Sequence, residues 1–307
     1  MVSHPLETSA GPTCILNGAA THVEAARDHI TRISGEFGVQ ARIVVARNGN
    51  ELSALAARAV GQSSQPVVAG GGDGTVSAVA AALVTRDAAL GVLPMGTLNH
   101  FAKDLGIPLD LEAAVRNIFT GRVTRVDVGE VNNRIFVNNS GIGLYPRIVR
   151  QREEEQRHGH VKLVAFVLAV GSVMRRYSLL RVRLRIDEAN TLTRQTPFVF
   201  VGNNRYEIAG FDIGTRTGLD SGRLWICMAP RTGRRNLLRM ALKALMGRVT
   251  DHELNAFEAE EIWVQTETRW VNVSMDGEVS VMEEPLHYRI RPQALRVVVP
   301  ARNGERT

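Results

Sequence analysis

The sequence contains few cysteines and few aromatic residues. Only two of its 307 residues are cysteine, Cys14 and Cys227, and both lie in apolar runs without the spacing of metal ligands. The sequence therefore predicts neither a disulfide framework nor a cysteine metal site. Aromatic residues make up 5% of the chain, which leaves few side chains for a base-stacking surface. A nucleic-acid partner is accordingly not expected.

Long apolar segments are also absent. The longest apolar run covers residues 163–174, whereas a membrane-spanning helix needs roughly 20 apolar residues. The first twelve residues lack a basic stretch followed by an apolar one, so no secretion signal is predicted. These observations favour a cytoplasmic protein without a membrane-spanning segment.

The charge balance is mildly basic, with 37 Lys and Arg against 31 Asp and Glu, a net charge of +6. Such an excess favours anionic partners, which include nucleotide phosphates, anionic lipids and nucleic acid, without choosing among them. A chain of this length with 44% hydrophobic residues is expected to form two folded domains.

The first third of the chain alternates between strand and helix patterns. Predicted strands at residues 13–17, 41–46, 66–69 and 89–93 are separated by predicted helices at 22–37, 51–60 and 76–84. This order predicts an α/β nucleotide-binding domain with a three-layer architecture and a parallel sheet. We expect this domain to cover residues 1–128, with residues 293–307 as a candidate completing segment.

The rest of the chain is predicted to be mostly β. Two helical patterns, at residues 163–177 and 237–246, interrupt the strands, and a final apolar strand is predicted at 295–299. Residues 129–292 are therefore expected to form a β-rich, sandwich-like substrate domain. Its strands are predicted at residues 126–131, 134–138, 180–186, 196–201, 223–228, 261–265, 270–274 and 287–291.

Two loops of the first domain carry the residues best suited to chemistry. The third predicted strand runs into Gly70, Gly71, Gly72, Asp73, Gly74 and Thr75, and a helix follows. Glycines let backbone amides approach phosphate oxygens closely, and the helix N-terminus favours anions. Thr97 and Asn99 follow the next strand, so they should face the same crevice at the carboxyl edge of the sheet. The alternative reading of each loop is an ordinary tight turn.

These residues resemble the diacylglycerol kinase catalytic domain family, which includes bacterial lipid kinases, sphingosine kinases and ceramide kinases. The resemblance begins with Gly-Gly-Asp-Gly-Thr at residues 71–75 and Pro-Met-Gly-Thr-Leu-Asn-His-Phe-Ala at 94–102. Weaker matches follow in order at residues 126–129, 136–143, 201–204, 219–224 and 275–278, so nearly the whole chain is covered.

The resemblance implies an ATP- and Mg²⁺-dependent lipid kinase that phosphorylates a lipid hydroxyl. Glycines 70–72 and 74, with Thr75, Thr97, Asn99 and Asn17, would bind the nucleotide. Asp73 would support the catalytic Mg²⁺, and Glu278 would accept the proton of the lipid hydroxyl. Asp276 and Asp127 would form an acidic network, and Asp276 is also a candidate metal ligand. Without the resemblance, residues 275–278 read as a hairpin with Asp-Gly at its tip.

The sequence departs from the family pattern at three places. The first strand ends in Asn17-Gly18-Ala19-Ala20 instead of Asn-Pro-x-Ser-Gly, and His100 replaces an acid that usually follows the Asn. A structural metal in the bacterial relatives uses an Asp at the position of Ser221, and here Asp220 lies one residue earlier. Asp220 is the candidate ligand for a second, structural metal, one residue away from the position that the family uses.

A basic amphipathic segment at residues 231–248 is a candidate membrane contact. Its cations include Arg234, Arg235, Arg239 and Lys243, and leucines lie along one helical face. This pattern is typical of a helix at a membrane surface and equally of a surface helix packed on its own domain. With the resemblance, it predicts transient peripheral contact with the inner face of a membrane. Bacterial relatives are often dimers, so a homodimer is a further candidate assembly.

Two alternative functions remain open from the sequence. NAD kinases and phosphofructokinases share the Gly-Gly-Asp-Gly-Thr loop, so a soluble-substrate kinase of the NAD-kinase type is one. A non-catalytic nucleotide or lipid sensor is the other, because His100 and Ser221 stand where relatives have acids.

Overall fold

The structure is a computed structural model that describes residues 9–60, 65–84, 86–143, 179–187, 190–209, 212–216, 218–229 and 254–301. The chain divides into two compact units. Unit 1 comprises Met1–Val126 and Gln293–Thr307, and unit 2 comprises Asp127–Pro292. The helices predicted at residues 163–177 and 237–246, and the basic segment at 231–248, lie outside the described residues.

Unit 1 alternates strands and helices, as its sequence predicts. Strands β1 to β4 form a parallel sheet in the order β2-β1-β3-β4, and every residue of β3 and β4 is buried. In chain order its elements are β1 (Ser9–Asn17), α1 (Val23–Glu36), β2 (Val39–Ala46), α2 (Gly49–Val60), β3 (Val67–Gly71), α3 (Asp73–Leu83), β4 (Leu90–Pro94), α4 (His100–Asp104) and α5 (Leu111–Thr120).

The core of unit 1 lies between its sheet and helices. Leu16 of β1 and Val68 of β3 are fully buried with Ile30 and Ile33 of α1, and Val115 of α5 joins the same cluster. The sequence analysis did not predict α4 or α5. Helix α5 begins after Asp110, whose carboxylate accepts the backbone N–H of Ala113 at 2.9 Å, a side-chain cap of the usual kind.

Unit 2 is built from antiparallel strands. Strand β5 (Arg122–Val131) begins in unit 1 and ends in unit 2, and the last strand begins in unit 2 and ends in unit 1. The strands after β5 are β6 (Arg134–Phe136), β7 (Asn139–Gly143), β8 (Leu180–Ile186), β9 (Asn190–Thr196), β10 (Phe198–Asn203), β11 (Tyr206–Ala209), β12 (Asp212–Arg216), β13 (Leu224–Met228), β14 (Asn255–Ala259), β15 (Glu261–Gln265), β16 (Trp270–Met275), β17 (Glu278–Glu283) and β18 (Leu286–Val299).

Two antiparallel sheets share one apolar core in unit 2. One sheet has the order β14-β13-β10-β7-β16-β17, and the other pairs β9, β8, β15 and the first part of β18. The first sheet contributes Val201 of β10 and Val273 of β16 to this core. The second contributes Leu184 of β8 and Val264 of β15, and all four side chains are fully buried in one cluster. Because side chains of both sheets meet there, the predicted β sandwich is confirmed.

The strands predicted at residues 287–291 and 295–299 are confirmed as strand, but they are the two parts of one continuous strand of 14 residues, β18. Its polar stretch around Gln293, where φ is +49°, interrupts the apolar pattern without ending the strand. Val297 pairs with Leu90 of β4 in parallel orientation, so this end of β18 joins the sheet of unit 1.

Among the helices that the structure describes, none combines the length and apolarity needed to span a bilayer.

Candidate functional site

The first candidate site in unit 1 is formed by two segments, Gly72 with the first turn of α3 (residues 72–75) and the loop at residues 95–99, which we call the loop pair. Each loop leaves the carboxyl end of a parallel strand, β3 or β4, and leads into a helix. Gly72 and Gly96 bring the two backbones together. A Cβ atom built on Gly96 would lie 2.4 Å from the Gly72 Cα, so no larger residue fits at position 96 without separating the loops.

Asp73 is the first residue of α3, but its carboxylate is directed to another helix. The Asp73 oxygens accept the backbone N–H groups of His100 at 3.2 Å and Phe101 at 3.1 Å, at the start of α4. The residue preceding α3 is Gly72, and α3 has no side-chain cap. Because the first N–H groups of a helix have no partner within that helix, this end of α3 suits an anion such as a phosphate.

Asn17 and Thr75 form a hydrogen bond that joins the end of β1 to the first turn of α3. The Asn17 Nδ2 donates to the Thr75 Oγ1 at 3.0 Å, and the Asn17 Oδ1 accepts the backbone N–H of Ala19 at 3.0 Å. Thr75 is buried, and a Cβ on Gly71 would lie 2.4 Å from its Oγ1. The Asn17 amide therefore orients the Thr75 hydroxyl, and position 71 has no room for a side chain beside it.

Asn99 and Thr97 have different positions within the second loop. The Asn99 side chain accepts the Gly96 N–H at 3.0 Å and donates to the Gly96 carbonyl at 2.8 Å, which closes the loop on itself. Asn99 also has a φ of +51°, a conformation that Asn tolerates better than most residues. Thr97 lies between Gly96 and Asn99 in the sequence. It is exposed, so its hydroxyl is accessible to a ligand.

The second candidate site lies in unit 2, where Asp276 holds the residues between β6 and β7. We call residues 137–139, with the turn at 276–277, the unit 2 corner. The Asp276 carboxylate accepts the backbone N–H groups of Val137 at 2.8 Å, Asn138 at 2.8 Å and Asn139 at 3.1 Å. The Asp276 N–H in turn donates to the Asn139 carbonyl at 2.9 Å.

The hairpin predicted at residues 275–278 is confirmed. Met275 pairs with Glu278, which leaves Asp276 and Gly277 as a two-residue turn with φ of +46° and +91°. Positive φ at both central residues is what a type I′ turn requires, and Asp-Gly supplies it readily. Glu278 follows as the first, exposed residue of β17. The turn thus fixes the backbone from which the Glu278 carboxylate projects.

Asp127 and the loop at residues 219–222 lie beside the unit 2 corner, because the Asn203 Nδ2 donates to both the Asp127 and the Val137 carbonyl at 2.9 Å. Asp127 is fully buried, and its Oδ2 accepts the Gly222 N–H at 2.7 Å. The Ser221 N–H and hydroxyl both donate to the Asn204 Oδ1, at 2.8 and 2.6 Å. Asp220 is exposed. Groups of this loop therefore already donate hydrogen bonds to side-chain oxygens of Asp127 and Asn204.

Arg216, at the end of β12, is a buried site residue that the sequence analysis missed. Its Nη1 donates to the Val137 carbonyl at 2.6 Å, and its Nη2 donates to the Asn138 Oδ1 at 2.8 Å. A single arginine in a stretch of Gly and Thr carries no motif. Only its partners, which lie 78 and 79 residues earlier in the chain, reveal its place at the unit 2 corner.

Three features of the loop pair suit a phosphate group. The loop pair offers an uncapped helix end, an exposed hydroxyl and a glycine contact that keeps side chains away. Within the described part of the chain, no cluster of three or more His, Cys, Asp or Glu side chains is arranged to hold a metal ion. Asp73 belongs to unit 1, and Asp220 and Asp276 belong to unit 2. The predicted membrane residues Arg234, Arg235, Arg239 and Lys243 lie outside the described residues.

The chain thus combines an α/β unit that carries the loop pair with a unit built as a β sandwich. Two protein-family models match the sequence, one in each part of the chain. Residues 13–131 match the diacylglycerol kinase catalytic domain, and residues 145–299 match the YegS C-terminal NAD kinase beta sandwich-like domain. The chain belongs to this diacylglycerol kinase family and is a kinase, which implies ATP as the phosphoryl donor.

Individual relatives cover nearly the full chain. A protein of an Enterobacter species named probable lipid kinase YegS-like is 29% identical over 297 residues, which is 93% of this chain and 95% of the relative. A Pseudomonas aeruginosa protein of the same name is 29% identical over 95% of this chain and 91% of its own. A diacylglycerol kinase structure from Bacillus anthracis has a TM-score of 0.69 at 20% identity, covering 94% and 96% of the two chains, and shows the same fold.

Proposed function

We propose that this kinase transfers the γ-phosphate of ATP to the hydroxyl of a lipid, diacylglycerol or a similar acceptor. Family membership and the names of the relatives support a lipid acceptor. The observation that carries the proposal is the α3 N-terminus: its cap position is Gly72, which has no side chain to bind the helix, and the Asp73 carboxylate binds the amides of α4. A helix end of this kind binds phosphate oxygens through its backbone N–H groups and its dipole.

The loop pair is proposed to hold the triphosphate. Backbone N–H groups from Gly72 to Thr75 would face the phosphate oxygens, and Thr97 would donate its exposed hydroxyl. Asn17 would act through Thr75, to which it is hydrogen bonded. Asn99 would act by closing the loop that presents Thr97. Asp73 is proposed to support a Mg²⁺ ion, and its two amide contacts would fix the direction of the carboxylate. When bound, this ion would neutralise charge on the phosphates.

Glu278 is proposed to accept the proton of the lipid hydroxyl. The hydroxyl oxygen would form the new bond to the γ-phosphorus as the bond to the β–γ bridging oxygen breaks, so ADP leaves and the proton remains on Glu278. The exposed position of Glu278 beside a rigid type I′ turn supports this role, since a base needs both access and a fixed backbone. Asp276 and Asp127 are proposed as acidic neighbours of Glu278, whose hydrogen bonds hold the surrounding backbone of unit 2 in place.

Access to a lipid is proposed to involve peripheral contact with the inner face of a membrane through the basic segment at residues 231–248. Arg234, Arg235, Arg239 and Lys243 would bind anionic head groups, each contributing roughly 1 kcal/mol near such a surface. Sedimentation of the protein with vesicles containing phosphatidylglycerol, compared with neutral phosphatidylcholine vesicles, measures this contact. If replacing all four cations by Gln left sedimentation unchanged, the segment would not be the contact.

The test of the function is a transfer assay with radiolabelled ATP, Mg²⁺ and mixed micelles that carry a panel of lipid hydroxyl acceptors. Labelled lipid that falls to a small residual level in Asp73→Asn and Glu278→Gln would support the proposal and identify the acceptor class. Glu283→Gln is the matched control, because Glu283 is an exposed residue of the same strand that pairs with Arg269 at the surface. It should keep full activity.

The other outcomes of this assay separate the alternatives. Transfer to NAD but to no lipid would establish the soluble-substrate kinase. ATP binding without transfer to any acceptor, unchanged in Glu278→Gln, would establish the sensor. Either result would overturn the proposed lipid kinase activity.

A further inference from the structure

We propose that Arg216 is a positioning residue for phosphoryl transfer, because it fixes the unit 2 corner against which the turn before Glu278 is held. Arg216 is buried, with 7% of its surface exposed, and lies at the end of β12. This inference rests on the proposed function, since it takes Glu278 as the base.

The guanidinium binds the same three-residue segment that Asp276 binds, but through different groups. Asp276 accepts the backbone N–H groups of Val137, Asn138 and Asn139. Arg216 donates to the Val137 carbonyl at 2.6 Å and to the Asn138 Oδ1 at 2.8 Å. Asp276 therefore holds the three backbone donors of this segment, and Arg216 holds two of its acceptors.

Neutral neighbours complete the same set of hydrogen bonds. The Asn203 Nδ2 donates to the Val137 carbonyl at 2.9 Å, and the Tyr206 hydroxyl donates to the Asn138 carbonyl at 3.0 Å. Arg216 also donates to the Asn203 carbonyl at 3.3 Å and lies over the Tyr206 ring, 5.6 Å from its centroid. Arg216 thus binds the segment directly and packs on the residues that bind it.

The segment determines where Glu278 is placed. Residues 137 and 138 belong to no strand, and the backbone bond from the Asn203 N–H to the Asn138 carbonyl at 2.9 Å is supplemented by these side chains. Asp276, the first turn residue, is anchored to the segment by its carboxylate and its N–H. Glu278 is two residues further on. A shift of the segment would move the turn and with it the carboxylate that accepts the proton.

Arginine suits this position better than lysine would. The two Arg216 nitrogens serve two different acceptors at fixed spacing, a geometry that the planar guanidinium provides and a single ammonium does not. Lysine would keep the charge but lose the second contact. Arg216→Lys should consequently fold and still show impaired transfer.

The experiment measures steady-state transfer to lipid in Arg216→Lys and Arg216→Met, each alone and combined with Glu278→Gln. We expect kcat to fall at least about 10-fold in the single variants with the KM for ATP unchanged, because misplacing a reacting group costs turnover. In the Glu278→Gln background the same change should cost less than about 3-fold, since residues that act as a unit are not additive. Arg205→Met, at an exposed arginine of the same unit, is the control and should leave kcat unchanged.

A purely structural role predicts a different pattern. Equal factors of loss in both backgrounds, or no loss in Arg216→Met, would overturn the positioning role. Hydrogen exchange at the amides of residues 137–139 provides a readout that does not depend on activity, and protection should fall in Arg216→Lys. Unchanged protection would also overturn the inference. If Glu278→Gln alone kept full transfer, the proposed base would fail, and the exchange measurement would still decide whether Arg216 holds the segment.

Discussion

The Asp276 carboxylate accepts the backbone N–H of Asn138 at 2.8 Å, across 138 residues of sequence. Asn138 is 3% exposed and Asp276 is 9% exposed, so water does not replace this contact easily. Two further amides of the same segment share the carboxylate. The turn residue that sequence analysis treated as a hairpin tip or a metal ligand is therefore also the main hydrogen-bond acceptor of the unit 2 corner.

Replacing Asp276 by Asn should destabilise unit 2. The amide group would present donors to backbone N–H groups, and hydrogen bonds to a charged acceptor contribute about 1.5–3 kcal/mol each. We expect the free energy of unfolding to fall by about 2–4 kcal/mol, measured by denaturant titration. Asp220→Asn, at an exposed carboxylate of the same unit, should change it by less than about 0.5 kcal/mol. Equal effects of the two substitutions would contradict this role.

Replacing Gly96 by Ala should separate the two loops of unit 1. The new Cβ would lie 2.4 Å from the Gly72 Cα, a contact with backbone that no side-chain rotation can relieve. We expect a loss of about 1–3 kcal/mol in unfolding free energy, as for overpacked sites, together with weaker ATP binding by calorimetry. Gly35→Ala is the control, because nothing lies within 4 Å of a Cβ at this position in α1. It should be neutral or stabilising.

Replacing Thr75 by Val should raise the KM for ATP, whereas Thr75→Ser should change it less. Val keeps the shape but removes the hydroxyl that accepts the Asn17 Nδ2. Loss of one hydrogen bond at this buried position is expected to cost about 1 kcal/mol in unfolding free energy. Kinetics with varied ATP at saturating lipid measures the effect. A larger rise of KM in the Ser variant would show that the methyl group, not the hydroxyl, matters.

The unfolding free energy should fall as pH rises above about 9, in part through Cys14. Burial raises the pKa of Cys14 to about 12, whereas a thiol in an unfolded chain has a pKa of about 8.5. Between these two values the unfolded chain has released a proton that the folded chain retains. The contribution of the Cys14 thiol to the unfolding free energy is thus fully present below the unfolded pKa. It is lost as pH rises towards the folded pKa, by at most about 1.4 kcal/mol per pH unit.

The Cys14→Ala variant measures this contribution directly. Denaturant titrations at pH 8, 9 and 10 should give a shallower decline than the wild-type protein shows, because the variant lacks the titrating thiol. Burial also raises the pKa of Tyr288, so that group contributes above its ordinary value, mainly beyond this pH range. Parallel declines of the two proteins would show that Cys14 does not cause the effect.

The order of elements in unit 1 could be predicted from sequence because each segment carries its own period. Strands β3 and β4 are short apolar runs, and α1 places Ala26, Ile30 and Ile33 on one face. Helix α4 could not be predicted in the same way. It has five residues, and its first amides depend on Asp73, which lies on another helix.

The strands of unit 2 were harder to predict where they lack β-branched residues. Strand β7, with the sequence Asn-Ser-Gly-Ile-Gly, is central in its sheet, between β10 and β16. Its formation depends on those two neighbours and not on local propensity. Strand β8, with alternating Leu, Arg and Val, was predicted with correct bounds because one of its faces is buried and the other is exposed.

The sequence by itself determined the family, the glycine loops and the Asp-Gly hairpin, since each depends on residue types that are adjacent in the chain. Tertiary structure decided what the polar side chains bind. Asp73 serves α4, Asp276 serves residues 137–139, and Arg216 reaches the same residues from β12. Hydrogen bonds between residues far apart in sequence depend on how the chain folds, so a local sequence pattern does not predict them.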